Sequence, residues 1–102
     1  MEDIHRACRL GDLQQIQSAI LRSPACLDFP DPQLGWTPLY RCIVCGHEAA
    51  VQLLLVQGAD PNLQNQIGES ALHQAAESAS RRVVQLLLEA RANPNLPQNG
   101  EF

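Results

Sequence analysis

The chain has 102 residues, about the size of one domain, of which 45% are hydrophobic and only 4% are aromatic. Its net charge is −4 and its seven basic residues form no continuous stripe, which argues against direct nucleic-acid binding. No apolar run approaches membrane-spanning length, and the charged start MEDIHRACRLGD lacks the apolar core of a secretory signal, so we expect no membrane insertion and no secretion.

The first thirty-four residues carry a weak helical pattern. Ile4, Ala7, Ile16 and Ile20 have the spacing of apolar faces on two short helices. The exit segment that follows, DFPDPQL, is longer than its later counterparts. Shifted by thirty-five positions, the four residues fall on apolar positions of the next segment, namely Leu39, Cys42, Val51 and Leu55.

The next segment predicts two helices, near 37–45 and 48–57, because apolar side chains recur there at helical spacing. Thr37 suits a helix start, since its hydroxyl accepts a bond from a free N–H group and the proline after it is tolerated in the first turn. Gly46 and Gly58 follow the two helices, where a left-handed residue commonly ends a helix. The loop ADPNLQNQIG that comes next is polar and turn-forming.

A near copy follows thirty-three positions later, with the string VQLLL in both copies, and predicts helices near 70–78 and 81–90. One helix pair has an apolar face that it cannot bury alone, whereas stacked copies bury each other's faces. A period of 33 residues is typical of such solenoids. The predicted fold is therefore all-α, with stacked helix-turn-helix units joined by β-hairpin-like loops.

The first copy contains the strings GWTPL, Gly46-His47, LLL and GADPN in that order, and the second contains Leu72-His73, Ala75-Ala76 and LLL. In order and spacing they resemble the ankyrin repeat. The resemblance implies a degenerate N-terminal capping repeat at 1–34, a repeat at 35–67, and a repeat with a truncated or capping C-terminus at 68–102. It also implies an adaptor or scaffold that binds a protein or peptide partner and needs no cofactor.

Two departures from the family pattern have structural consequences. Tyr40 replaces a histidine that His73 retains, with Ser70 in place of its threonine; the resemblance implies that the Ser–His pair is hydrogen-bonded, and we expect Tyr40 to donate one bond. Ala79 and Arg91 occupy the helix-ending glycine positions of the last repeat. Because a non-glycine residue in the left-handed region costs roughly 1–2 kcal/mol, we expect the third repeat to be weaker or locally altered.

The last predicted helix has an apolar face, Val83, Leu86 and Leu87, that suits a following repeat. Three explanations stay open: a fragment of a longer array, which we favour, a partner chain that covers the face, or a cap formed by residues 96–102. A purely structural segment of a longer array, with its binding site elsewhere, is the main alternative to a binding function.

Cys42 and Cys45 have the spacing of a metal-binding or redox pair, and His47 is near, so a zinc- or redox-responsive module is a further alternative. Zinc sites usually contain two such pairs, and Cys42 takes a position that is buried alanine in the family, so we expect packing roles and no metal. The four cysteines suit reduced thiols in the cytoplasm or nucleus. No catalytic triad spacing and no glycine-rich phosphate loop are visible, so we expect no enzyme activity.

Asn62 lies in the loop after the second repeat's helices. The resemblance makes it a candidate for hydroxylation by an asparaginyl hydroxylase, since Leu54 and Asp60 precede it at the preferred distances, whereas Asn95 lacks the acid. We expect its amide mainly to stabilise the turn.

The family's variable surface positions give the candidate partner-binding residues. Carried over by position, these are Leu10, Gln33, Leu34, Trp36, Val44, Cys45, Gln66, Ile67, Glu69 and Glu77. Half of them are apolar or aromatic although the framework does not need them buried, and Trp36 is typical of a binding hot spot. Arg6, Arg9 and Arg41, with the two glutamates of the set, would form a polar rim. The alternative is that Trp36 and Ile67 pack against neighbouring loops; the two interpretations are compatible.

Overall fold

The computed structural model describes residues 3–78 and 80–90. Within these ranges it contains no strand and no helix long and apolar enough to cross a membrane. The four helices predicted in the two copies are confirmed to within one residue at each end. The helices are α1 (Asp3–Leu10), α2 (Leu13–Arg22), a 3₁₀ helix (Pro24–Asp28), α3 (Pro38–Val44), α4 (Glu48–Val56), α5 (Ala71–Ser78) and α6 (Arg81–Glu89).

The helices pack as pairs, α1 with α2, α3 with α4 and α5 with α6, and the pairs stack side by side. We call α1, α3 and α5 the first-helix layer, in which α3 packs against both α1 and α5; α4 packs in the same way against α2 and α6. The core lies between the first-helix layer and the layer formed by α2, α4 and α6. Its largest members are almost fully buried: Ile4, Ile16, Leu39, Leu54 and Leu87. The predicted all-α stack is confirmed, because each pair buries its apolar face against a neighbour.

Helix starts and ends follow the residues that predict them. Thr37 Oγ1 accepts a bond from the backbone N–H of Tyr40 at 3.2 Å, and Ser80 caps α6 in the same way. Gly46 and Gly58 have φ of +77° and +98°, the left-handed conformation expected after α3 and α4. The chain therefore turns where these small and polar residues permit it.

The loops that lead into α3 and α5 are tight turns. In the first, the backbone N–H of Asp31 donates to Trp36 O at 2.9 Å; in the second, Asn65 N–H donates to Glu69 O at 2.8 Å. The first loop is preceded by the 3₁₀ helix Pro24–Asp28, which the sequence pattern did not predict. The extra length of DFPDPQL is thus accommodated by a helical turn and a wider loop.

The apolar face predicted on α6 is buried in this structure. Val83, Leu86 and Leu87 are all buried, at most 9% exposed, and the exposed large apolar residue of this helix is Leu88. Val83 and Leu87 belong to the continuous core. Four expectations lie outside the described residues: the backbone strain at Ala79 and at Arg91, the role of Asn95, and a cap formed by residues 96–102.

Candidate functional site

The predicted partner-binding residues lie on the first-helix layer and on the loops before α3 and α5. Leu10 and Val44 are the last residues of α1 and α3, whereas Leu34 and Ile67 lie in the two loops. These four apolar side chains are 40–60% exposed. Leu10 and Val44 end helices about 10 Å long, whereas Leu34 and Ile67 precede such helices. The predicted partner-binding residues therefore form two neighbouring surfaces.

Adjacent loops contact each other. A Cβ atom added at Gly35 would lie 2.8 Å from Cγ of Gln66, so the backbone of one loop is in close contact with the side chain of the next. Leu34 and Ile67 are the chain neighbours of these two residues. We define the loop surface as Gln33, Leu34, Trp36, Gln66 and Ile67.

Trp36 is half-buried, which agrees with the alternative that it packs against its neighbours and stays partly exposed. Its ring packs on Tyr40, with centroids 5.2 Å apart, and the guanidinium carbon of Arg41 lies 5.0 Å from the Trp36 ring centroid. Such a cation–π contact stabilises both side chains in one arrangement. Trp36 therefore supports the loop surface and presents only part of its ring to solvent.

Asp31 is a structural centre that the sequence did not single out. Its Oδ1 accepts backbone N–H bonds from Gln33 (3.1 Å), Leu34 (2.5 Å) and Gly35 (3.1 Å), and its carboxylate pairs with the guanidinium of Arg41. Burial alone would raise the pKa of Asp31, but the bonds from Leu34 N–H and Arg41 outweigh it, so the pKa lies below the ordinary value. The sequence signal, an aspartate four residues before a glycine in a loop, is common and easily overlooked.

Tyr40 joins the second repeat to the third. Its hydroxyl lies 2.9 Å from Oε1 of Glu69 and 3.1 Å from Oε1 of Gln74. Burial, then the bond to Glu69, raises the pKa of Tyr40. The expected bond from Tyr40 is confirmed, and the predicted Ser70–His73 contact is present at 3.0 Å. Glu69, predicted as a partner-binding residue, is thus already engaged within the stack.

A cleft of about 690 Å³ opens between α1, α3 and the segment before α3. Arg6 and Arg9 are exposed on α1, and Phe29 of the segment before α3 is exposed as well. Of the predicted partner-binding residues, Gln33 lines this cleft, and the three arginines expected at the rim all contribute to it. We call it the arginine cleft; it is lined by His5, Arg6, Arg9, Phe29, Asp31, Pro32, Gln33 and Arg41.

Cys42 and Cys45, the predicted pair, lie in different environments. Cys42 is fully buried, with its Sγ 3.9 Å from Cys8 O, whereas Cys45 is exposed directly after α3. The contact with the Cys8 side chain, followed by burial, raises the pKa of Cys42, which keeps this thiol protonated and unreactive. In the ranges 3–78 and 80–90, no three His, Cys, Asp or Glu side chains are grouped as metal ligands would be.

Asn62 is half-buried in its loop, and its backbone N–H donates to Oδ1 of Asp60 at 2.9 Å. Asp60 in turn donates its own N–H to Asp28 of the preceding repeat at 2.9 Å. These bonds fit a turn-stabilising position. Hydroxylation of Asn62 stays a prediction.

Residues 4–98 match the family model of ankyrin repeats in three copies. The chain belongs to the ankyrin-repeat family. Ankyrin relatives include a transient receptor potential channel A1 homologue of Caenorhabditis elegans, 35% identical over 72% of this chain and 6% of that protein. The human 2-5A-dependent ribonuclease is 34% identical over 78% of this chain and 11% of that protein. The Arabidopsis thaliana E3 ubiquitin-protein ligase XBAT32 is 33% identical over 74% of this chain and 15% of that protein.

The chain therefore spans less than a sixth of the length of each of these ankyrin-repeat relatives. Their names denote a channel, a ribonuclease and a ligase, which have no common activity. The shared portion is the ankyrin array, and such arrays generally serve as protein-interaction modules. A whole-protein activity is not transferred across so small a shared part.

Proposed function

We propose that this ankyrin array is a non-enzymatic adaptor or scaffold module that binds a protein or peptide partner on the first-helix layer and its loops. The observation that supports it is the exposure of Leu10, Leu34, Val44 and Ile67 on this side of the stack. Apolar side chains that the core does not use gain about 25 cal/mol per Å² when a partner covers them. The close contact between loops also makes the surface rigid before binding, which lowers the entropy cost of association.

The four free thiols are compatible with work in the cytoplasm or nucleus, where thiols stay reduced, and this location is part of the proposal. The burial of Cys42 speaks against the zinc or redox alternative. The structural alternative, in which the chain only supports neighbouring repeats, predicts that no substitution on the first-helix layer changes partner binding.

A matched pair of variants tests the binding surface. In Leu34→Ser/Ile67→Ser, two exposed loop residues lose their apolar side chains; in Leu21→Ser/Val56→Ser, two residues that are 82% and 74% exposed on α2 and α4 lose theirs. Each variant is used in affinity purification from cell lysate beside the wild type, after circular dichroism has verified equal folding. We expect partners to be lost with the loop variant and retained with the control variant. Equal recovery from all three chains would contradict the proposed surface and favour the structural alternative.

A further inference from the structure

The arginine cleft contains two guanidinium groups that its own lining does not pair. Arg41 is paired with Asp31, the single acidic residue in the lining, so the uncompensated cations of the cleft are Arg6 and Arg9. Both are exposed and lie three residues apart on α1, which places them side by side on one face of the helix.

Two adjacent guanidinium groups repel each other, and an anion between them removes the repulsion. Guanidinium forks match a carboxylate geometrically and form charge-assisted bonds about twice as strong as neutral ones. Resting on the proposed function, we propose that the arginine cleft receives an aspartate or glutamate side chain of an extended segment of the protein partner, bound by Arg6 and Arg9.

The rest of the lining favours a peptide over a small free anion. Phe29 is 45% exposed and, with Pro32, gives the cleft an apolar wall, while Gln33 adds an amide group to the lining. A volume of about 690 Å³ lies within the range of about 300–1,000 Å³ typical of ligand sites. A segment with one acidic and one neighbouring apolar residue uses both walls.

The wall of the cleft is held in place before any ligand arrives. His5 Nε2 lies 2.8 Å from Phe29 O, which attaches the exit segment to α1. Asp31 holds the backbone N–H of Gln33, and Arg41 holds Asp31. A preformed site loses little conformational entropy on binding.

The charge of the first-helix layer changes from positive to negative along the stack. This pattern favours a partner with a short acidic stretch over a polyanion. Arg6 and Arg9 project from α1, whereas Glu77 is exposed on α5 and Glu69 lies in the loop before it. A nucleic acid that entered the cleft would bring further phosphates toward these carboxylates and toward a chain of net charge −4. A peptide with its acidic end toward the first repeat avoids that repulsion.

Selection from a random linear peptide library displayed on phage tests the proposal without a known partner. The wild-type chain is the bait. The selected peptides are then synthesised, and the Kd of each is measured for the wild-type chain and for Arg6→Gln/Arg9→Gln. The control variant, Arg81→Gln/Arg82→Gln, makes the same charge change at exposed positions on α6. Leu34→Ser/Ile67→Ser is measured in parallel, and a labelled oligothymidylate is titrated as the polyanion probe.

We expect selected peptides to be enriched in Asp or Glu, and their binding to weaken by about tenfold or more in Arg6→Gln/Arg9→Gln but not in the α6 control. Replacing the acid of a selected peptide by its amide should have the same effect. Peptides without acidic enrichment that bind this variant normally would overturn the acidic-partner proposal. If those peptides bind Leu34→Ser/Ile67→Ser more weakly than the wild type, the proposed function stands without the acidic-partner proposal. If they bind this variant normally as well, the proposed function and the acidic-partner proposal both fail. Binding of oligothymidylate that depends on Arg6 and Arg9, with no acidic peptides selected, would replace the proposal by a nucleic-acid site.

Discussion

The guanidinium of Arg41 pairs with the carboxylate of Asp31, and the same carboxylate organises the loop that leads into α3. Through this pair, the Asp31 side chain connects α3 to the loop surface and to the wall of the arginine cleft. Since Arg41 also lies over the ring of Trp36, the pair fixes three parts of the candidate site at once.

Breaking this pair should destabilise the stack. We expect Asp31→Asn to lower the free energy of unfolding by about 1–3 kcal/mol, because the half-buried Arg41 charge loses its counter-ion and three N–H bonds lose a charged acceptor. Urea unfolding of Asp31→Asn, Arg41→Gln and the double variant gives the coupling energy between the two side chains. Strictly additive effects would contradict the assignment of the pair.

The pair also predicts a pH dependence. The pKa of Asp31 is lower in the folded chain than in the unfolded chain, so its ionised form stabilises the fold above the unfolded value of about 3.9. This contribution is lost as the pH falls through the folded-state pKa. Urea unfolding at a series of acidic pH values should show wild-type stability falling toward that of Asp31→Asn. A constant difference between the two chains at every pH would contradict the lowered pKa.

The single tyrosine of the chain allows a direct test of the junction between the second and third repeats. Because burial and the bond to Glu69 raise the pKa of Tyr40, ultraviolet titration should show no tyrosinate near pH 10, the ordinary value. In Glu69→Gln the ionisation should move to lower pH, since the neighbouring negative charge is gone. Ionisation of the wild type at the ordinary pH would show that Tyr40 is not buried beside Glu69.

The cysteines should differ in reactivity. Cys45 is exposed and should react quickly with a thiol reagent, whereas Cys8 and Cys42 are buried and should react only on unfolding. Cys26, half-buried and with its pKa raised by burial, should react at an intermediate rate. Labelling followed by mass spectrometry distinguishes the sites, and Cys45→Ser should remove the fast phase. If added zinc protected Cys42 and Cys45 together, the metal-binding alternative would regain support.

The sequence predicted the regular part of the fold because regular parts repeat. Apolar spacing located α3 to α6. Thr37 marked the start of α3, and Gly46 and Gly58 marked the ends of α3 and α4, since capping and left-handed turns depend on single residues. The 3₁₀ helix was missed because five residues have too short a pattern to show periodicity.

The candidate site was predictable only in part. The variable positions of the ankyrin repeat indicated that Leu34 and Ile67 are exposed, because the core does not need side chains at these positions. They did not indicate that Trp36 is held by Tyr40 and Arg41. Nor did they reveal the arginine cleft, because its walls come from three separated stretches of chain that only the packing of α1 against α3 brings together.

The position of α3 between α1 and α5 gives the second repeat a distinct role in cooperativity. In a stack held by nearest-neighbour contacts, an interface is lost with either of the units that form it. Of the interfaces among α1, α3 and α5, damage within α3 weakens both and damage within α5 weakens one, so the first two repeats should survive fraying of the third but not melting of the second. The middle repeat thus transmits order from one side of the stack to the other, and the affinity of the arginine cleft should fall when α3 loosens, even if every residue that touches the ligand is intact.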